Sequence, residues 1–172
     1  MLFEAMAELR RHVPDACVLI AGADAMPGEP ADLARSLNLE GAIHLLGRRS
    51  DMPDVLSAFD VFVLPSESEG MSNAILEAMA MKLPVVVTAV GGAPVVVEDG
   101  VSGFLVDYPD SSAMAERLGR LFADPGLRGR VGEAARRRVV AEYSAAGMVR
   151  QMENLYVTLL NGKTPGAMTT RA

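Results

Sequence analysis

Apolar positions open the chain at Leu2, Met6, Leu9 and Val13, a spacing that keeps one face of a helix dry, and Val13-Pro14 stops it. Short unbroken apolar runs then alternate with amphipathic ones. "CVLIAG" (17–22) reads as a buried strand ending in Gly, "EPADLARSLNL" (29–39) as an amphipathic helix, and "AIHLLG" (42–47) as a second strand. "DMPDVLSAF" (51–59) predicts a short helix and "DVFVLP" (60–65) a third strand. The alternation continues through a helix at 72–82, a strand at 84–88, a Gly-Gly-Ala-Pro turn with one helical turn after it, and a strand at 103–106. Helices at 111–123, 126–143 and 145–160 follow, broken at Asp124-Pro125 and Ser144. "NGKTPGAMTTRA" has no apolar period and reads as a flexible tail.

This order predicts an α/β fold built on a parallel sheet covered on both faces. No linker or internal repeat divides the chain, so we expect one domain over 1–160 and a tail over 161–172. Half of the 172 residues are apolar, enough for a sizeable core. Sixteen basic against 22 acidic residues leave a net charge of −6, which argues against nucleic acid as a partner and against an electrostatic membrane dock. "MLFEAMAELRR" lacks the charge order of a secretory signal, and no apolar run reaches the roughly 18 residues of a membrane span. Membrane contact is therefore not evident and the cytoplasm is the default. The single Cys17, inside an apolar run with no basic neighbour, reads as a buried, inert thiol.

Chemistry concentrates after the third strand, in "SESEGMSNAILEAMA" (66–80). In an open parallel α/β sheet the ligand crevice lies outside the carboxyl ends of the strands, which is where Glu69 falls. Gly70 allows close backbone approach, and Ser72 or Asn73 can cap the next helix, so the amides of residues 71–74 face the crevice at a positive helix end. That arrangement suits a diphosphate. Glu77, over a turn further on, can accept both hydroxyls of a ribose, and Glu69 can take hydroxyls of whatever the diphosphate carries. Two glutamates around a helix start are nonetheless common, simply because the helix dipole favours them.

The surrounding residues change that balance. "FVLPSESEGMSNAILEAMAMKLPVVVTAVGGAPVVVEDGVSGFLV" (62–106) resembles the donor-binding, C-terminal half of retaining glycosyltransferases of family 4, the group 1 transferases of the GT-B fold. Glu69 and Glu77 match the family's E-x7-E signature, and its "LEAMA", "LPVV" and "GG.P...EDG..G.LV" segments follow in order. The resemblance implies a Rossmann-like doubly wound sheet in which Glu69 contacts the donor sugar, Glu77 the nucleotide ribose, and the backbone of Gly70, Met71, Ser72 and Asn73 the sugar and phosphate. It places Gly47, Arg48 and Arg49 near the nucleotide base and Gly22 at the border of the same crevice. The implied substrate is a nucleoside diphosphate sugar, with no cofactor and no required metal. The implied reaction is hexose transfer with retention of anomeric configuration.

The chain also departs from the family pattern. Met71-Ser72 replaces a frequent Phe-Gly, Lys82 a frequent Gly, and Val95 a usual acid. Family members carry an acceptor-binding domain first, then a strand with a basic pair that clamps the diphosphate; neither has a counterpart in this sequence. The missing strand is normally central in the order 3-2-1-4-5-6, so the strands at 17–21 and 60–65 are expected to face a gap or to close on one another, with costly unpaired edges. Without the basic pair, at most weak donor binding and no transfer by this chain alone are expected, and the acceptor domain is expected in the same or another chain. The alternatives are a non-catalytic nucleotide-sugar-binding or partner-completing module, and a nucleotide-sugar epimerase of GT-B architecture.

Other residues read as structural. His44 is expected as a sheet histidine and His12 as a helix-end one, and the methionines at 6, 71, 79, 81, 114, 148 and 152 mostly as core filling. The arginines at 128, 130, 136, 137 and 138 are expected on a solvated helix face. Glu67-Ser68-Glu69 has no further ligand nearby for a metal, and "GADAMPGE" lacks the glycine spacing of a dinucleotide site.

Overall fold

A computed structural model describes residues 1–22 and 29–161. The elements run α1 (Leu2–Leu9), β1 (Val18–Ala21), α2 (Glu29–Ser36), β2 (Ile43–Gly47), α3 (Met52–Ser57), β3 (Phe62–Leu64) and α4 (Asn73–Ala80). They continue with β4 (Val85–Thr88), α5 (Ala93–Val96), β5 (Phe104–Val106), α6 (Ser111–Ala123), α7 (Pro125–Glu142) and α8 (Ala145–Leu160). Every strand pair is parallel, as the alternation of strands and helices requires: β1 with β2, β3 with β4, and β4 with β5. The expected α/β class and the helical C-terminus are both observed. The tail reading falls, Asn161 apart, outside the described residues.

β4 organises the core because its side chains point alternately to the two faces of the sheet. Val86 joins Phe3, Met6 and Leu9 of α1 and Met114, Leu118 and Leu121 of α6. Val85 and Val87 join Ile75 and Met79 of α4 and Ala135 and Val139 of α7 on the other side. All three valines are fully buried, which is why a pure valine run, rather than an alternating pattern, marks this strand.

The sheet is split where a central strand was expected to be missing. β1 and β2 form one ladder and β3, β4 and β5 another, with no strand pairing between β1 and β3 among the described residues. Between them lies a cavity of about 500 Å3, lined by Val18 and Ile20 on one side, Phe62 and Leu64 on the other, and Leu118 and Phe122 beneath. The two edges stay apart because α1, which leads into β1, packs along α6, which covers β4 and β5. Closing the gap would strip that helix contact.

Several expectations are corrected. Cys17 is exposed, because it precedes the β1 ladder and opens on the cavity. Met6, Met79 and Met114 are buried, but Met71, Met81, Met148 and Met152 are exposed. The helix expected over 72–82 ends at Ala80, since Lys82 adopts a left-handed φ of +63°. That conformation accounts for a glycine being frequent there, and Lys82 instead pairs with Glu133 at 2.7 Å. Gly132 is held by the same turn, since a Cβ on it would fall 2.0 Å from the Lys82 carbonyl oxygen. The α7 arginines do more than face solvent. Arg136 donates to the Ala80 carbonyl, Arg138 to Val96 and Val95 at 2.7 and 3.1 Å, and Arg128 lies 3.6 Å from Asp60.

The helix α8 stands apart. Ser144 caps it by accepting from the Gly147 amide at 3.2 Å, yet none of its residues is buried. Met148, Met152, Leu155 and Leu159 are all exposed along it.

Candidate functional site

β3 is short, and the chain leaves it through Pro65 into the Ser66–Ser72 loop before entering α4. Two anchors fix that loop. Thr88, at the carboxyl end of β4 and 2% exposed, donates its hydroxyl to the Ser66 carbonyl at 2.6 Å. The Ser66 hydroxyl in turn donates to Oε1 of Glu69 at 2.8 Å, which holds the carboxylate over the strand ends.

The second anchor comes from the turn after β4. The Gly92 amide donates to the Gly70 carbonyl at 2.8 Å. Gly91, at φ +55°, lies so near that a Cβ on it would fall 1.8 Å from the Glu69 carbonyl oxygen. Only glycine permits both this conformation and this approach. The "GG" segment is thus a brace for the Glu69-Gly70 loop, and Met71 covers Gly92 with its sulfur.

Ser72 is the N-cap of α4, in extended conformation, but its hydroxyl makes no capping hydrogen bond. The expected side-chain cap is therefore absent, among the described residues, from either Ser72 or Asn73. The first amides of the helix are left for another acceptor, with the positive end of the helix dipole behind them. Glu77 is exposed on the second turn of α4, and Glu69 is half-buried.

The other expected residues sit at the ends of β1 and β2. The Gly22 amide donates to the Gly47 carbonyl at 2.9 Å, joining those two strand ends. Arg48 is exposed beyond them. Arg49 is engaged by Asp51, at 2.8 Å and 2.5 Å through Nε and an Nη, and this hydrogen bonding holds the Asp51 carboxyl below its usual range. His44 is exposed on β2. No group of three or more His, Cys, Asp or Glu side chains is placed to hold a metal ion among the described residues.

Sequence reasoning named the loop but not its anchors, Ser66, Thr88 and Gly91. A signal for Thr88 existed: it is the polar residue that ends an otherwise all-valine buried strand.

The family profile described as "Glycosyl transferases group 1" matches residues 1–124, which takes in both glutamates. The chain belongs to this family. The D-inositol 3-phosphate glycosyltransferase of Corynebacterium aurimucosum is 32% identical over 180 residues, covering 100% of the chain and 42% of that protein. HepE of Anabaena, solved in complex with UDP, superposes with a TM-score of 0.83 at 26% identity, covering 91% of the chain and 44% of HepE. The C-terminal domain of the group 1 protein LpcC from Francisella tularensis superposes with a TM-score of 0.75 at 27% identity, covering 83% of the chain and 77% of that domain. The chain is thus a group 1, GT-B-type domain matching the C-terminal part of its relatives, and it spans 30–42% of the length of the curated proteins it resembles. No described helix is long and apolar enough to cross a membrane.

Proposed function

We propose that this domain binds the nucleoside diphosphate sugar of a retaining hexosyltransferase. The observation that carries the reading is the Glu69–Asn73 turn, braced at the carboxyl end of β3 with the first amides of α4 left without a side-chain cap. In this reading the diphosphate lies on those amides, Glu69 takes hydroxyls of the sugar, and Glu77 takes both hydroxyls of the ribose. The base lies against Gly47 and Arg48, with Gly22 at the edge. HepE, solved with UDP and with UDP-glucose, supports this class of ligand.

The departing diphosphate develops negative charge that helix amides, worth about half an elementary charge, offset only in part. The remaining positive charge is to come from a basic pair on a segment that also supplies the strand between β1 and β3. That segment, and the acceptor domain, belong to this chain's longer form or to a partner chain. No metal is needed in this scheme, and the domain alone binds donor weakly and transfers nothing. A separate chain supplying the strand would favour a partner-completed module, and release of free nucleoside diphosphate without an acceptor would favour an epimerase.

Thermal unfolding with excess UDP, GDP and ADP in turn, repeated on Glu77→Gln, tests the reading. At about 100 times its dissociation constant one nucleotide should add about 2.7 kcal/mol. For a chain of this size that is a rise of about 5–10 °C, lost in the variant. A cooperative transition that no nucleotide moves would overturn autonomous donor binding.

A further inference from the structure

We infer that Ser66 is a positioning residue that orients the Glu69 carboxylate toward the donor sugar, and that Thr88 fixes Ser66 for this task. The inference rests on Glu69 being the sugar contact.

Glu69 has three side-chain torsions, and a half-exposed carboxylate at a loop tip would ordinarily sample many of their combinations. Here one oxygen, Oε1, accepts the Ser66 hydroxyl at 2.8 Å, which fixes the plane of the carboxylate while leaving it free lone pairs for a ligand's hydroxyls. A serine hydroxyl that donates to a carboxylate makes a charge-assisted bond, stronger than a neutral one, so the orientation is strongly biased.

Ser66 is itself tied down. Its carbonyl receives the buried Thr88 hydroxyl at 2.6 Å, and Thr88 belongs to the fully buried central strand. The line of contact therefore runs from the rigid β4 through two hydroxyl side chains to the glutamate. Gly91 and Gly92 hold the backbone of Glu69 and Gly70 by an independent contact, so the loop stays in place when the Ser66 hydroxyl is lost. Ser66 thus acts on the direction of a side chain and not on the presence of the loop.

This separates two affinities. A nucleoside diphosphate reaches the α4 amides and Glu77 but not Glu69, whereas a nucleoside diphosphate sugar also reaches Glu69. The sugar form gains the Glu69 contact that the free diphosphate lacks, so the change in that preference on substitution at Glu69 reports this contact, and a positioning role for Ser66 appears as the same change.

The test is NMR titration of the chain with UDP and UDP-glucose, GDP and GDP-mannose, and ADP and ADP-glucose, using the pair that binds. Wild type, Ser66→Ala, Ser66→Thr and Glu69→Gln are compared, with Thr88→Val as a second route to the same carbonyl. We expect Ser66→Ala and Glu69→Gln each to lower the preference for the sugar form about three- to tenfold, with the free diphosphate bound as before. Ser66→Thr, which keeps the hydroxyl, should retain the preference, and Thr88→Val should lose part of it. Loss of sugar and diphosphate binding in equal measure in Ser66→Ala would make Ser66 merely structural and overturn the inference. So would a wild-type ratio in Ser66→Ala beside a lowered one in Glu69→Gln, which leaves the sugar contact standing. A preference that Glu69→Gln leaves unchanged, or no binding by any pair, would overturn the sugar contact itself and this inference with it.

Discussion

The two halves of the sheet are built to different standards. In β4 all four residues are buried, and apolar clusters cover its ladder with β3 and β5 from both sides. In β1 no residue is fully buried, and in β2 three of five are exposed. The half that carries both glutamates is packed on both faces of β4 and open to the cavity only along β3, whereas the half that carries Gly22, Gly47 and Arg48 borders the same cavity and is exposed along β2 as well. A well-braced loop can thus stand on one side of a split sheet while the other side is loosely packed, and the strength of the sequence motif says nothing about the second half.

That contrast can be broken by unequal responses to truncation. Ile75→Ala, at a position 1% exposed between α4 and β4, should lower the unfolding free energy by about 2–5 kcal/mol in a urea titration. Leu45→Ala, at a position 50% exposed on β2, should change it by no more than about 0.5 kcal/mol. Equal losses would mean that both halves are packed alike.

Amide hydrogen exchange sharpens the comparison without any substitution. Amides in the β3–β4–β5 ladders should open only with the whole domain, and those in β1 and β2 at lower cost, so that protection differs at least about tenfold, or about 1.4 kcal/mol. Uniform protection across the cavity would show the two ladders opening as one unit.

The smallest expected effect lies at the open end of β2. Arg49 holds the Asp51 carboxyl below its ordinary range, so the pair's contribution is present above a pH of about 3.8 and fades as pH falls through the lowered value. Arg49→Ala should raise the Asp51 pKa toward the ordinary value, read by NMR titration, with negligible change in stability near neutral pH, since both side chains are exposed.

Much of this was legible in the sequence. The order of elements followed from where apolar runs switch between strand and helix spacing, and the split at the missing strand followed from the family's strand order. What escaped were features that depend on contacts far apart in the chain. Nothing local to Cys17 announces a cavity beside it, and nothing in "RRR" tells that Arg138 will reach carbonyls 42 and 43 residues away. The Ser66, Thr88 and Gly91 anchors were missed for the same reason, since a hydroxyl's partner is set by the register of β3 on β4. The capping expected of Ser72 or Asn73 is absent because propensity counts residue types, whereas the hydrogen bond depends on where the loop aims the side chain.

The packed body closes at Tyr143, whose hydroxyl donates to the Val95 carbonyl at 3.0 Å. Everything in α8 comes after that point, and none of it is buried. Its helicity rests on its own sequence and on the Ser144 cap, which for a segment of 16 residues is marginal in water. α8 is consequently the part of the described chain that leans on the body least, so a label placed along it leaves the Ser66, Thr88, Gly91 and Gly92 contacts that shape the Glu69 loop untouched.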